Sequence, residues 1–121
     1  MILVDTSIWI DHLRSNNQIL ANALQTGLIC THHAVIGELA CGNLVNRQEV
    51  LALLQSLRRP IAATDSETLF FIEQHGLMGR GIGYIDAQLL ATCAIHSLRL
   101  WTKDKRLQAI AEILMLDHQP N

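Results

Sequence analysis

Short, unbroken apolar runs alternate along this chain with longer stretches in which apolar residues recur every three or four positions. Residues 2–4 (Ile2, Leu3, Val4) are continuously apolar and end at Asp5, which predicts a strand buried on both faces. A helix is predicted over 8–13 behind Thr6 and Ser7. A second starts at Asn17, with Leu20, Ala23 and Leu24 on one face and Gly27 as its stop. Residues 28–30 read as a second strand, and 34–44 as a helix with Ile36, Leu39, Ala40 and Leu44 as its stripe. A helix over 48–57 carries Val50, Leu51, Leu53, Leu54 and Leu57 on more than one face and stops before Pro60. Residues 61–62 read as a marginal strand. Thr64 or Asp65 opens the next helix, to about 75, with Glu67 at the capping-box spacing from Thr64. Gly76, Gly79, Gly81 and Gly83 mark a flexible loop around Arg80. A strong helix over 84–97, a strand over 98–101, a helix over 104–114 and an edge strand at 115–116 complete the reading. Strands alternating with helices predict an α/β fold: a central parallel sheet of four to five short strands flanked by helices, in a single domain over 1–121.

Composition narrows the function classes. With 121 residues, 50% apolar and 17% charged, the chain suits one well-filled core and not a disordered segment. No apolar run approaches the ~20 residues of a membrane span. Met1 leads straight into the apolar run with no basic region or small-residue cleavage site, so no signal peptide and a cytoplasmic location are expected. A formal charge of −2 argues against a protein that coats nucleic acid by bulk charge, though not against a local basic patch. Cys30, Cys41 and Cys93 are odd in number and widely spaced, and read as reduced core thiols. Cys30 with His32 and His33 lacks a second cluster that would complete a zinc set.

Four carboxylates fall where elements begin or end, or where a charge breaks an apolar helix. Asp5 ends the first strand, Glu38 sits mid-helix between Gly37 and Leu39, Asp86 lies in the first turn behind the glycine loop, and Asp104 opens the last helix. Ligands of parallel sheets bind outside the carboxyl ends of the strands, and Asp5 and Asp104 point there. Each acid taken alone also reads as a helix cap, a dipole partner or a surface charge. Together they form an oxygen donor set suited to Mg²⁺ or Mn²⁺, which bridges to phosphate oxygens and makes a bound water a competent nucleophile. Thr6 and Ser7 can orient these carboxylates, cap the helix, or do both.

The segments ILVDTSIWIDHL (2–13), AVIGELACG (34–42), GIGYIDAQLLATC (81–93) and LWTKDKRL (100–107) resemble, in order and over essentially the whole chain, the PIN-domain ribonucleases, and more narrowly the VapC-type toxins of bacterial toxin–antitoxin systems. The resemblance implies a PIN-like three-layer α/β/α fold. It implies that Asp5, Glu38, Asp86 and Asp104 bind Mg²⁺ or Mn²⁺ and support endonucleolytic RNA cleavage. It also implies that Thr102, in Thr102–Lys103–Asp104, assists, that the chain forms a homodimer, and that an antitoxin wraps it and blocks the acidic pocket. Asp5, Asp86 and Asp104 would be the main ligands; Glu38 would ligate or accept the proton of the attacking water. Arg80, Lys103, Lys105 and Arg106 are candidate phosphate contacts, although charges at a helix start are commonly only solvated.

Aromatic content of 4% argues against base stacking as the dominant grip, and Trp9 and Trp101 read as core or interface residues. The six histidines read as surface or carboxylate-supporting groups, His12 alone being near a candidate acid in sequence. The surplus of apolar positions on the 48–57 helix suggests that a groove between it and the 34–44 helix accepts a partner's apolar helix. Competing readings are a receiver-like signalling module with an Mg²⁺-binding acidic pocket, a phosphatase with an Asp-x-Asp nucleophile, and a partner-binding protein whose acids are caps. Thr6 after Asp5 argues against the first, and Ser7 removes the second Asp of the second.

Overall fold

A computed structural model describes residues 1–120. Three parallel strands, β1 (Ile2–Val4), β2 (Ile29–Cys30) and β3 (Arg99–Trp101), form a sheet in the order β2-β1-β3. Leu3 of β1 pairs with Cys30 on one side and Leu100 on the other, and Val4 pairs with Trp101. Leu3 and Val4 are wholly buried, as their continuous apolar pattern requires. Around the sheet run α1 (Thr6–Ser15), α2 (Gln18–Gln25), α3 (His33–Ala40), α4 (Arg47–Ser56), α5 (Asp65–His75), α6 (Tyr84–His96) and α7 (Lys105–Ile113).

The sheet is narrower than the four to five strands expected. The two outer segments contribute single bridges, Arg58 against Cys30 and Asp117 against Leu100. The reason on the first edge is that Pro60 has no N–H to extend the pairing, and the backbone beyond it is claimed by α6. Ala63 donates to the Thr92 hydroxyl at 3.0 Å, Gln88 Nε2 donates to the Ala63 carbonyl at 3.4 Å, and a His96 ring nitrogen lies 2.7 Å from the Ile61 carbonyl. Residues 61–62 are therefore an extended strap on α6, with Ile61 itself exposed.

Helix α6 is the core element: every residue from Ala87 to Cys93 is buried, and the internal Gln88 and Thr92 are satisfied by the strap. The Thr64–Glu67 capping box closes α5, with Glu67 N–H donating to Thr64 Oγ1 at 3.1 Å and Thr64 N–H to Glu67 Oε1 at 2.9 Å. Helix α3 stops at Ala40, earlier than residue 44, because the Arg47 guanidinium caps its C-terminus at the carbonyls of Ala40 (2.6 Å) and Gly42 (3.2 Å). Cys30 and Cys93 are buried thiols, but Cys41, just past α3, is exposed and not a core thiol as expected. Trp9 and Trp101 pack in the core. No helix among the described residues is long and apolar enough to cross a membrane.

Candidate active site

The C-terminal edge of the sheet is where two strands turn into helices, and each turn is capped by an acid. Asp5 leaves β1 with its N–H donating to the Trp101 carbonyl at 2.9 Å, then caps α1: Oδ1 accepts from Thr6 N–H at 2.7 Å. Its Oδ2 accepts from the hydroxyls of Ser7 (2.9 Å) and Thr102 (2.6 Å). The side chain is 7% exposed, so these donors are what make a buried anion tolerable. Asp104 caps α7, its Oδ1 accepting from the N–H groups of Arg106 (3.0 Å) and Leu107 (3.1 Å). Cap and site are thus the same residue in both cases.

Hydroxyls join these two acids. Thr102 Oγ1, besides donating to Asp5, accepts from Asp104 N–H at 3.1 Å; Ser7 Oγ accepts from Lys103 N–H at 3.0 Å. Glu38 reaches the same edge from α3, where Thr6 Oγ1 donates to its Oε1 at 2.9 Å. Asp86, in the first turn of α6, accepts from Gly83 N–H on Oδ2 at 3.2 Å.

Asp86 reports the electrostatics of the edge. Burial, reinforced by the negative charges of Asp5, Asp104 and Glu38, pushes its carboxyl above the usual carboxylate range, against the lowering pull of the Gly83 N–H. All four acids singled out from the sequence therefore act on one region. Asp104 Oδ2, Asp86 Oδ1 and Glu38 Oε2 accept no hydrogen bond from the described residues. Among those residues no group of three or more His, Cys, Asp or Glu side chains stands close enough together, as placed, to hold a metal ion. The arrangement is an open anionic edge, in which Asp5 is held on both oxygens while Glu38, Asp86 and Asp104 are held on one and free on the other.

The basic candidates divide. Lys103 is held away by an ion pair with Asp11 at 3.0 Å, the one ion pair within 4.0 Å among the described residues. Asn17 Nδ2 donates to the other Asp11 oxygen at 3.1 Å. Lys105 and Arg106 lie in the first turn of α7, and Arg80 in the glycine loop; all three are exposed. Arg106 crosses that loop at Gly81: a Cβ there would stand 2.8 Å from Arg106 Cδ.

His32, read from the sequence with the other histidines as a surface or carboxylate-supporting group, is a buried structural position. It is wholly buried, and its Nδ1 accepts from Ala34 N–H at 3.0 Å, capping the helix that carries Glu38. Stacked on His33 with ring centroids 4.4 Å apart, it is pushed by burial down to about 4. A His immediately before an apolar-periodic stretch was the available signal, since any side chain with a short-range acceptor can serve as a cap.

The expected groove between α3 and α4 is not where the opening lies. Those helices pack together, with Leu54 wholly buried. A groove of about 290 Å³ runs instead between α1 and α3, lined by Ile10, Leu13, Leu39, Leu44 and Val45, with Glu38 at its margin. On α4, Leu54 is wholly buried and Val50 and Leu51 pack against the core, while Leu53 stays 42% exposed; on α1, Leu13 is 40% exposed.

The PIN domain family profile matches residues 2–113. Ribonuclease VapC32 of Mycobacterium tuberculosis is 44% identical over 110 residues, 90% of this chain and 89% of that protein. Two solved structures share the fold at 21% identity and a TM-score of 0.64. They are a toxin–antitoxin complex from Klebsiella pneumoniae (86% of this chain, 87% of that one) and FitAcB from Neisseria gonorrhoeae (93% and 94%).

Proposed function

The chain belongs to the PIN-domain family, as a VapC-type member, and we propose that it is a divalent-metal-dependent endoribonuclease, the toxin of a type II toxin–antitoxin pair. The observation that supports this reading is a linked set of acids: Thr102 joins Asp5 to Asp104, Thr6 donates to Glu38, and Asp86 feels the charges of all three. Its M. tuberculosis relative, a ribonuclease by name, supports the activity class.

The donor set fits a hard divalent cation. Four mutually repelling carboxylates, three of them each with an oxygen that accepts nothing from the described residues, match the all-oxygen preference of Mg²⁺ and Mn²⁺. Asp5, Asp86 and Asp104 would hold the ion, and Glu38 would either join them or take the proton of the attacking water. Such an ion, when bound, supplies Lewis-acid charge to the scissile phosphate and acidity to a water. The protein's own contribution is orientation. Ser7 and Thr102 fix the Asp5 carboxylate, the α7 amides fix Asp104, and Thr6 fixes Glu38 by one oxygen and leaves the other free. Arg80, Lys105 and Arg106 are the cations available to RNA phosphates, with Lys103 committed to Asp11. The expected products carry a 5′-phosphate and a 3′-hydroxyl.

The partner reading follows from the α1–α3 groove, which offers an apolar trough beside Glu38 to an antitoxin segment. The fold shared with the Klebsiella toxin–antitoxin complex supports an antitoxin partner. A homodimer is supported by the outer face of α5 and α6, where Leu69, Phe70 and Ile95 are exposed beside a groove of about 470 Å³. A cytoplasmic site of action goes with this reading.

The test is incubation of the purified chain with total RNA in Mg²⁺, Mn²⁺ or EDTA, with Asp5→Asn and Asp86→Asn alongside, followed by end mapping. Cleavage that needs the metal and both acids, leaving 5′-phosphates, is expected. Cleavage equal in EDTA and in both variants would overturn the reading.

A further inference from the structure

The glycine loop and the start of α6 enclose a second, smaller hollow that the carboxylate chemistry does not use. It measures about 210 Å³ and is lined by Ile72, Leu77, Gly79, Ile82, Gly83 and Tyr84. Resting on the nuclease reading above, we infer that it is a nucleobase subsite. It takes one unstacked base of the RNA strand that lies along the carboxylates, with the Tyr84 ring as the stacking face and Arg106 on the adjoining phosphate.

Four observations lead there. The hollow and the acidic edge share a residue: Gly83 lines the hollow and at the same time donates its N–H to Asp86. Tyr84 is 42% exposed, yet its ring is held, because its hydroxyl donates to Asp65 at the start of α5. An aromatic face that is fixed but uncovered loses little freedom when a base stacks on it.

The third observation is the contact between Arg106 and Gly81. Gly81 has φ +83°, and a Cβ there would stand 2.8 Å from Arg106 Cδ and 2.9 Å from a guanidinium nitrogen. The absent side chain is what lets Arg106 lie on the loop. Its guanidinium enters no ion pair within 4.0 Å, since Lys103–Asp11 is the one such pair among the described residues. An unspent cation against Gly81 and an apolar hollow lined by Ile82, Gly83 and Tyr84 of the adjoining chain match the two halves of a nucleotide.

Size and aromatic census make the fourth. The hollow is smaller than the roughly 300 Å³ at which pockets begin to enclose whole small ligands, so it suits one ring system. Trp9, Trp101 and Phe71 are buried, which leaves Tyr84, the sole tyrosine, and Phe70 on the α5–α6 groove as the exposed aromatics. Of these two exposed rings, Tyr84 is the one two residues from Asp86 in the chain. Sequence preference in RNA recognition comes from unstacked bases on such faces.

The experiment uses an RNA decamer spanning a mapped cut site, carrying 2-aminopurine or an abasic residue at each position in turn, and bound in EDTA so that it is not cut. Wild type is expected to quench 2-aminopurine at one position and to bind the decamer that is abasic there about 5- to 100-fold more weakly. Tyr84→Ala should lose the quenching and become indifferent to that abasic position. Tyr84→Phe, which lacks the Asp65 bond but keeps the ring, should stay within about twofold of wild type. Arg106→Ala and Gly81→Ala should each flatten the salt dependence of binding by about one unit of slope. Metal-dependent cleavage by a wild-type protein that is insensitive to every abasic position would overturn the subsite and leave the nuclease standing. Equal loss in Tyr84→Phe and Tyr84→Ala would likewise overturn it, by assigning the hydroxyl a purely structural part. A chain that neither binds nor cuts RNA would overturn both.

Discussion

The Thr102 hydroxyl donates to Asp5 Oδ2 at 2.6 Å across 97 residues of chain, and Thr102 Oγ1 in turn accepts the N–H of Asp104 at 3.1 Å. One small side chain thus ties the acid that ends β1 to the acid that follows β3. Thr102→Val keeps the shape and removes both bonds. It leaves an almost wholly buried carboxylate with one fewer donor, and the backbone N–H of Asp104 with no acceptor. The expected cost is about 1–3 kcal/mol in urea unfolding, with RNA cleavage falling alongside. Thr102→Ser retains the oxygen and should recover most of both. Equal loss in the two variants would mean that the methyl group, and not the bonds, carries the effect.

Asp86 is held above its ordinary pKa by burial and by three like charges, so its ionised form is a strain on the folded chain. Asp86→Asn keeps an acceptor for the Gly83 N–H and removes the charge. Its Tm at neutral pH should rise while RNA cleavage is lost. Solvent screening at this half-buried position limits the relief to about 1 kcal/mol, or roughly 4 °C. The sign with pH is fixed by the direction of the shift. The folded chain takes up this proton before the unfolded one as the medium is acidified. The variant's advantage is therefore full above the folded pKa and fades as pH falls toward the ordinary carboxylate value. Added Mg²⁺ should raise the Tm of wild type and not that of Asp86→Asn. Thermal melts across pH, with and without Mg²⁺, check all three statements.

Much of this edge is legible in the amino-acid sequence, and the reason is local. Asp5 stands where an all-apolar strand gives way to a helix, so strand end and helix cap coincide in one polar residue, and Asp104 caps the helix that follows β3 after Thr102 and Lys103. Glu38 is visible as a charge that interrupts an apolar helix. What escapes depends on partners distant in sequence. Residues 61–62 have the composition of a strand, but the buried Gln88 and Thr92 of α6 claim the neighbouring backbone at Ala63. The apolar residues of α4 look like a docking face until Leu54 is found wholly buried. His32 looks like an ordinary polar residue because nothing local announces that its ring will be sealed under α3.

That sealed ring makes stability depend on acidity. His32 caps α3 through Nδ1 and must be neutral to accept the Ala34 N–H. Burial, with the neighbouring His33, brings it from 6.5 down to about 4. Since the folded value lies below the unfolded one, the unfolded chain binds the extra proton between about pH 6.5 and 4. Stability is then lost as pH falls through that window and changes no further below it, by about 3 kcal/mol at most from this group. In His32→Asn the cap acceptor remains but does not titrate. Denaturant unfolding from pH 7 to pH 4 should show a shallower fall for the variant, even if its stability at pH 7 is lower because the smaller side chain leaves space. Parallel pH profiles would show that the His32 proton is not what the folded state resists.

The α1–α3 groove makes a prediction that separates partner binding from catalysis. Leu13 and Val45 line it while being 40% and 83% exposed, so charging them spares the core. Leu13→Glu and Val45→Glu should leave the Tm within about 2 °C, as exposed substitutions do. They should also leave cleavage of RNA by the free protein within about twofold, because neither side chain hydrogen-bonds to the four carboxylates or to the hydroxyls that hold them. An antitoxin segment that lays apolar residues along the groove would meet a buried, unpaired carboxylate in the complex. Inhibition by the cognate antitoxin should then need at least tenfold more of it, read as the titration of nuclease activity. Glu38 at the margin supplies the contrast. Because it is a proposed catalytic acid, Glu38→Gln should abolish cleavage, with antitoxin binding altered far less than in Leu13→Glu. If the glutamate variants are inhibited at the wild-type ratio, the antitoxin engages another face and the groove has no part in neutralisation.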